Sequence, residues 1–256
     1  MSKKIRLAIQ YDGTNYLGWQ RQPIGKTIAG TIEAVLEDIT GENVTLIGSG
    51  RTDAGVHALR QIAAFTTSLT HSSDIFMRAL NSSLPEDIKI TAAAVVDSGF
   101  HPQYDAKSKT YFYLIYNSEV LSPFFYRYCC HLKRPLDVVK MTDAARCFIG
   151  KKDFKSFTAS DTDIKTTERE IFSLNISVME HVDLFGTVIE GNYIKITIMA
   201  SGFLRHMVRN IAGTLVDAGY GKVDTLKINE IINACNRTLA GKTMPAKGLF
   251  LENVFY

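Results

Sequence analysis

Residues 48–58 read G-S-G-R-T-D-A-G-V-H-A, and the chain is organised around them. The preceding residues 44–47, V-T-L-I, are β-branched and apolar and predict a short strand. The following residues 61–67, Q-I-A-A-F-T-T, predict another. Between the two lie Gly48, Gly50 and Gly55, residues suited to positive φ or to backbone lying close against a neighbour. Among these glycines stand a cation (Arg51), a hydroxyl (Thr52), a carboxylate (Asp53) and an imidazole (His57). A plain hairpin connection needs no such collection of polar groups. Two readings of the stretch stand side by side. It is either a turn in which Asp53 bonds its own backbone and Arg51 is solvated, or a loop that carries chemistry.

Working outward toward the N-terminus, Ile5, Leu7 and Ile9 alternate with Arg6, Ala8 and Gln10, the pattern of a half-buried strand. Y-D-G-T-N-Y breaks it, and L-G-W-Q-R-Q follows with the chain's one tryptophan, Trp19, read as packing rather than as a base-stacking ring. From Thr27, a candidate cap, Ile28, Ile32, Val35, Leu36 and Ile39 recur at helical spacing. On the other side of the motif a helix is predicted from Ser72, with Ile75, Phe76, Ala79 and Leu80 inward, and a strand over residues 88–96. Residues 100–117, F-H-P-Q-Y-D-A-K-S-K-T-Y-F-Y-L-I-Y-N, read as a connector around Pro102 and then a strand with two usable faces. The connector sets the expected domain boundary, 1–99 and 100–256.

The second half opens on the aromatic, basic run P-F-F-Y-R-Y-C-C-H-L-K-R. A helix is predicted over residues 137–148, with Val138, Met141, Ala145 and Phe148 on one stripe. Lys151, Lys152 and Lys155 follow in what reads as a loop, either solvated or touching phosphate. Two long strands are expected over residues 166–179 and 188–199, with E-H-V-D-L-F-G-T as their connection. From Ser201 a helix is expected, its ladder Phe203, Met207, Ile211 and Leu215, with Arg205 and Arg209 on one side and His206 and Asn210 enlarging a polar surface. A last helix over residues 224–235 and a C-terminal strand complete the reading.

Composition narrows the class. The 256 residues suffice for one large or two modest domains, and 46% hydrophobic with 21% charged residues is ordinary for a globular protein. No apolar run reaches membrane-spanning length, and the N-terminus turns into an alternating strand rather than a secretory block, so a cytoplasmic protein without membrane attachment is expected. A net charge of +3 permits nucleic-acid binding without arguing for it. Cys129, Cys130, Cys147 and Cys235 show neither disulfide-framework nor zinc-ligand spacing, and no metal is expected.

The 48–58 motif resembles the signature of the tRNA pseudouridine synthase A family, whose G-R-T-D-x-G-V-H-A segment carries the catalytic aspartate. The likeness continues through Tyr111, through H-M-V-R-N-I-A-G (residues 206–213) and through the tail P-A-K-G-L-F-L (residues 245–251), and runs from Lys4 to Tyr256. It implies Asp53 as nucleophile, Arg51 beside it, Tyr111 as the active-site aromatic, Arg209 as the partner of the aspartate, and Leu249 lining the uracil pocket. It further implies RNA contacts at Phe100, His101 and position 103. There the chain departs from the family's F-H-A-R-F-like run, because Gln103 stands where a cation is expected. The implied substrate is the anticodon stem-loop of tRNA, at positions 38–40. The implied architecture is α+β, two ferredoxin-like (RRM-like) sandwiches with antiparallel sheets joined around a central cleft, acting as a homodimer.

These residue types suit that chemistry. Isomerising uridine to pseudouridine breaks the N-glycosidic bond and rejoins the base through C5 with no net redox change, so neither metal nor diffusible cofactor is required. It calls for an ionised carboxylate, and a guanidinium fork favours that form. Attack at the pyrimidine C6, attack at the sugar and removal of a sugar proton are all open to such a group. The target base must leave its stack, at a cost of roughly a few kcal/mol, and Tyr111 would pack on it. The rival readings are a non-catalytic RNA-binding module using the sheet as a stacking platform, and an aspartic protease. The protease reading is opposed by the order T-D-A-G and by the want of a second equivalent carboxylate motif.

Overall fold

The structure is a computed structural model that describes residues 2–159 and 166–256. The chain forms two compact units, one up to Lys109 together with Phe250–Tyr256, the other Thr110–Leu249. The first holds β1 (Lys3–Tyr11), α1 (Ile28–Thr40), β2 (Ile47–Gly48), β3 (His57–Thr67), α2 (Ser73–Ser83) and β4 (Ile88–Val96). Strand β5 (Ser108–Tyr116) leads into the second, which continues with β6 (Cys130–His131), α3 (Val138–Arg146), β7 (Gly150–Asp153), β8 (Glu168–Leu184), β9 (Thr187–Ala200), α4 (Met207–Gly219) and α5 (Thr225–Asn233). Strand β10 (Leu249–Phe255) closes the chain. The class is mixed α and β with mainly antiparallel pairing, the α+β class that the sequence predicts.

In the first unit β1 lies between β3 and β4 and is antiparallel to both. Ile5, Leu7 and Ile9 are fully buried, as their alternation requires. β2 pairs antiparallel with β3, and β10 runs parallel to β3 with Phe250 opposite His57 and Leu251 opposite Ala58. Thr27 caps α1 by accepting the Gly30 N–H, and Ile28, Ile32 and Leu36 form its buried stripe. In the second unit the sheet order is β5-β9-β8-β7, with β6 parallel to β5. Asp137 and Asp224 cap α3 and α5 in the same way, accepting from Lys140 N–H and Lys227 N–H.

Several sequence expectations are corrected. Of the predicted 44–47 strand only Ile47 is laddered, together with Gly48 beyond it; the Leu46 N–H goes instead to the Glu33 carboxylate of α1, 2.9 Å away. Ile75 is exposed, and α2 buries Phe76 and Leu80. E-H-V-D-L-F-G-T is largely strand: β8 and β9 meet at Phe185-Gly186, whose φ values of 55° and 81° make the tight two-residue turn that suits twisted antiparallel strands. Lys151 and Lys152 lie on β7, opposite Glu170 and Arg169 of β8, rather than in a loop. The helix expected from Ser201 starts at Met207, because His206 sits at φ 63° and breaks the right-handed path. Arg205 therefore precedes α4 and shares no helix face with Arg209, and Phe203 lies outside the ladder. Asn210 is fully buried rather than part of a polar surface. The first compact unit reaches Lys109, and its 100–109 segment is tied to the chain's end. The Phe100 ring packs 5.1 Å from that of Tyr256, and the Lys107 N–H donates to the Phe255 carbonyl.

Candidate active site

The motif loop, residues 49–56, spans from β2 to β3 in the first unit and is braced by the segment after β1. The Trp19 N–H donates to the Thr52 carbonyl at 3.0 Å, and the Gly55 N–H to the Tyr16 carbonyl at 3.3 Å. Beneath the loop the buried Tyr11 hydroxyl and Thr52 Oγ1 are 2.7 Å apart. The approach is too close for side chains. A Cβ on Gly18 would lie 2.5 Å from the Thr52 carbonyl oxygen, one on Gly13 would overlap the Val56 carbonyl, and one on Gly48 would enter the indole of Trp19, itself core. At the loop's entry the Ser49 hydroxyl donates to Gln61 Oε1 at 2.6 Å, Gln61 Nε2 donates to the Gly50 carbonyl at 2.9 Å, and Lys109 Nζ donates to the Ser49 carbonyl at 2.5 Å. Against this frame Asp53 is half-buried and Arg51 exposed.

His57, at the loop's exit, is buried and stacks on Phe250 at 4.6 Å. Its Nδ1 lies 3.1 Å from the Gly13 N and 3.0 Å from Asp12 Oδ1, so it serves one as acceptor or the other as donor, never both at once. Asp12, Gly13, Tyr11 and Gly18 thus belong to the loop's scaffold, which the motif alone does not reveal. The signal available in sequence was the pair of glycines in Y-D-G-T-N-Y-L-G-W.

Phe100, His101 and Gln103 share one turn after β4. The His101 N–H donates to Asp105 Oδ2 at 2.9 Å, and His101 Nδ1 accepts from the Gln103 and Tyr104 N–H groups at 3.2 and 3.3 Å. The turn is therefore fixed by its own polar groups, with Gln103 exposed on it and Phe100 used as packing.

In the second unit Tyr111 of β5 is buried and meets Phe203 edge-on, with centroids 5.0 Å apart. Arg209, in the first turn of α4, donates Nε–H to the Met244 carbonyl at 2.7 Å, and the Met244 N–H returns to the Arg209 carbonyl at 3.2 Å. The next residue extends the clamp. Asn210 Nδ2 donates to the Phe157 carbonyl at 2.6 Å, while its Oδ1 accepts from Arg237 Nη2 at 2.9 Å and from Thr243 Oγ1 at 2.6 Å. Leu249 is buried, and just before it Gly248 packs so close to Tyr113 and the Leu114 carbonyl that a Cβ would stand 2.8 Å from each. Lys151 pairs with Glu168 at 3.5 Å. Lys151 and Lys152 flank a cavity of about 330 Å³ that also includes Asn229 and Asn233, and none of the residues assigned to chemistry lines it. Among the described residues no group of three or more His, Cys, Asp and Glu could hold a metal ion, and no helix is long and apolar enough to cross a membrane.

A family model described as tRNA pseudouridine synthase matches residues 7–105 and 144–256. A relative from Caldicellulosiruptor bescii, named tRNA pseudouridine synthase A, is 46% identical over 254 residues, covering 99% of this chain and 100% of the relative. One of the same name from Thermodesulfovibrio yellowstonii is 43% identical over 252 residues, covering 98% and 99%. A chain of a solved Cbf5-Nop10-Gar1 complex superposes with a TM-score of 0.36 at 13% identity, over 96% of this chain and 48% of that one, too distant a likeness to carry an argument.

Proposed function

This chain belongs to the tRNA pseudouridine synthase family, and from that premise we propose that it converts uridine to pseudouridine in the anticodon stem-loop of tRNA, at positions 38–40, with Asp53 as nucleophile. The observation that carries the reading is the loop of residues 49–56. A half-buried carboxylate stands on backbone braced from three sides, where glycines admit contact too close for any side chain. Such bracing is what positioning a reactive group demands.

In the proposed reaction the extruded uridine packs on Tyr111 and against Leu249, and Asp53 adds to it. The N1–C1′ bond breaks, the base turns, C5 bonds to C1′, the bond from Asp53 breaks again to return the free carboxylate, and the C5 proton passes to solvent as N1 takes one up. Atoms and electrons balance without a cofactor. Arg209 acts as counter-charge to Asp53, and its Nε–H bond to the Met244 carbonyl fixes the orientation of its fork. Arg51, exposed on the same loop, meets the phosphate or the space left by the base. Phe100, His101 and Gln103 present the turn that touches RNA, and Lys151 and Lys152 contribute phosphate contacts. Each half of the chain is proposed to be a ferredoxin-like sandwich. The β1-α1-β2-β3-α2-β4 order with β4-β1-β3-β2 adjacency supports this for the first. The working form is proposed as a cytoplasmic homodimer. Tritium release from tRNA transcripts labelled at uridine C5 tests the activity. Wild type is expected to release label and Asp53→Asn to lose turnover by at least about a thousandfold. Near-wild-type release by Asp53→Asn overturns the assignment of the nucleophile. A non-catalytic RNA-binding module would bind the transcript and release nothing.

A further inference from the structure

The aromatic, basic run in the second half has no part in the reading above, yet its geometry is that of a built surface. Within S-P-F-F-Y-R-Y, residues 122–128, alternate side chains part company. Phe125 turns inward onto Tyr193, 5.4 Å between centroids, in a cluster with Tyr116 and Cys129. Its flanking neighbours remain outside, Phe124 at 64% exposure and Tyr126 at 49%. Two turns hold the loop in this form: the Phe125 N–H donates to the Ser122 carbonyl at 3.1 Å, and the Tyr128 N–H to the Phe125 carbonyl at 2.9 Å. Arg127 lies over the Tyr126 ring, 5.4 Å from its centroid, and its Nε–H bonds the phenolic oxygen at 2.7 Å. Lys247 Nζ donates to the Tyr126 carbonyl at 2.8 Å. That bond fastens the loop to the P-A-K-G-L segment two residues before Leu249.

We propose that Phe124 and Tyr126, with Arg127 and Lys247, form a stacking platform for unpaired nucleotides of the tRNA, next to the base that reacts. The proposal rests on the pseudouridine synthase reading and names a contact which that reading leaves open. Its ligand follows from the chemistry. Exposed rings held at fixed positions offer π-faces that accept any base, and cations at their margin meet the phosphates between bases. Across residues 118–134 there is one acid, Glu119, against Arg127, Lys133 and Arg134, which favours an anionic partner. A second protein chain fits less well. Two rings present at most about 300–500 Å² in total, below the roughly 800 Å² per partner of a stable interface. The placement beside Lys247 explains why such a platform is useful. A flipped base leaves its neighbours unstacked, and a ring close to its pocket compensates them.

The test measures affinity of the full-length chain for a tRNA transcript by fluorescence anisotropy at several salt concentrations. Phe124→Ala and Tyr126→Ala are each expected to weaken binding by about five- to a hundredfold, the loss of one stack, with the salt slope unchanged. Phe124→Leu, which keeps apolar surface but no π-face, is expected to bind as weakly as the alanine variant, and Tyr126→Phe to bind like wild type. The double alanine variant binding within twofold of wild type overturns the proposal. So does wild-type affinity in Phe124→Leu. Loss of self-association with unaltered RNA affinity, read by sedimentation, also overturns it and assigns the surface to a second copy of the chain. Tritium release by the wild type is scored separately. Its absence defeats the activity reading, while the affinity comparison still decides the platform.

Discussion

At the scale of single residues, Arg209 differs from an ordinary helix cation because its guanidinium is anchored to backbone, and the proposed pairing with Asp53 would give it a second task. Nε is held by the Met244 carbonyl at 2.7 Å, which sets the plane of the fork. Lysine has one nitrogen and cannot both keep that bond and present a fork. Arg209→Lys is therefore expected to cost at least about tenfold in single-turnover rate while tRNA affinity changes little; a rate near wild type would return Arg209 to the role of a general cation. Tyr193 supplies a prediction about stability. Its ring is packed by Tyr116 and Phe125, and its hydroxyl is the buried side-chain polar atom that has no hydrogen-bond partner among the described residues. Tyr193→Phe removes that unpaired group and should raise unfolding free energy by about 1 kcal/mol, read by urea denaturation. Burial also pushes the Tyr193 hydroxyl up from 10 to about 12. A raised folded value means that the stability of the neutral form is fully present below pH 10 and is lost as pH rises toward 12. The gain from Tyr193→Phe should accordingly grow across that window, and a gain that shrinks there would contradict the burial argument.

At the scale of elements, α4 sets the surroundings of Arg209 and Asn210 through one close approach. Gly213 and Gly241 face each other where the helix crosses the 240–244 segment. A Cβ on Gly213 would overlap the Lys242 carbonyl oxygen, and one on Gly241 would stand 2.5 Å from Gly213 backbone. This contact brings Met244 to Arg209 and Thr243 to Asn210. Gly213→Ala forces helix and segment apart, with an expected loss of about 2–3 kcal/mol and a fall in turnover beyond what the reduced folded fraction explains. Unchanged thermal stability would show that the segment yields freely. The sequence discloses α4 only in part. Its ladder Met207, Ile211 and Leu215 is visible, while its start is not. His206 at φ 63° holds back the start of the helix to Met207, four residues after Phe203, and nothing in the apolar period marks that delay. Strands β8 and β9 run further than the apolar pattern predicts, because polar Glu180 and Asp183 interrupt the apolar run while the backbone pairing continues through Leu184 and Thr187.

At the scale of the whole molecule, a net charge of +3 is small for a protein that binds a polyanion, so affinity must come from where cations sit. tRNA binding is expected to fall with salt along a log–log line whose slope counts neutralised phosphates. The double change Lys151→Ala with Lys152→Ala should lower affinity and flatten that line by about one to two counterions, whereas an unchanged slope would make these lysines a solvated edge of β7. The sequence by itself determined what a local period or a short motif encodes: the buried alternation of β1, the Thr27 cap of α1, the strand of Tyr111, and the place of Asp53 in a glycine-rich loop. Each of these depends on residues within a few positions of one another. Only the tertiary structure decided that Gly13 and Gly18 brace that loop, that Asn210 lies buried between Phe157, Arg237 and Thr243, and that Lys151 and Lys152 pair in a strand. Those outcomes depend on partners far along the chain. Burial and hydrogen bonding at a given residue are set by which segment folding brings against it, and no local pattern carries that information.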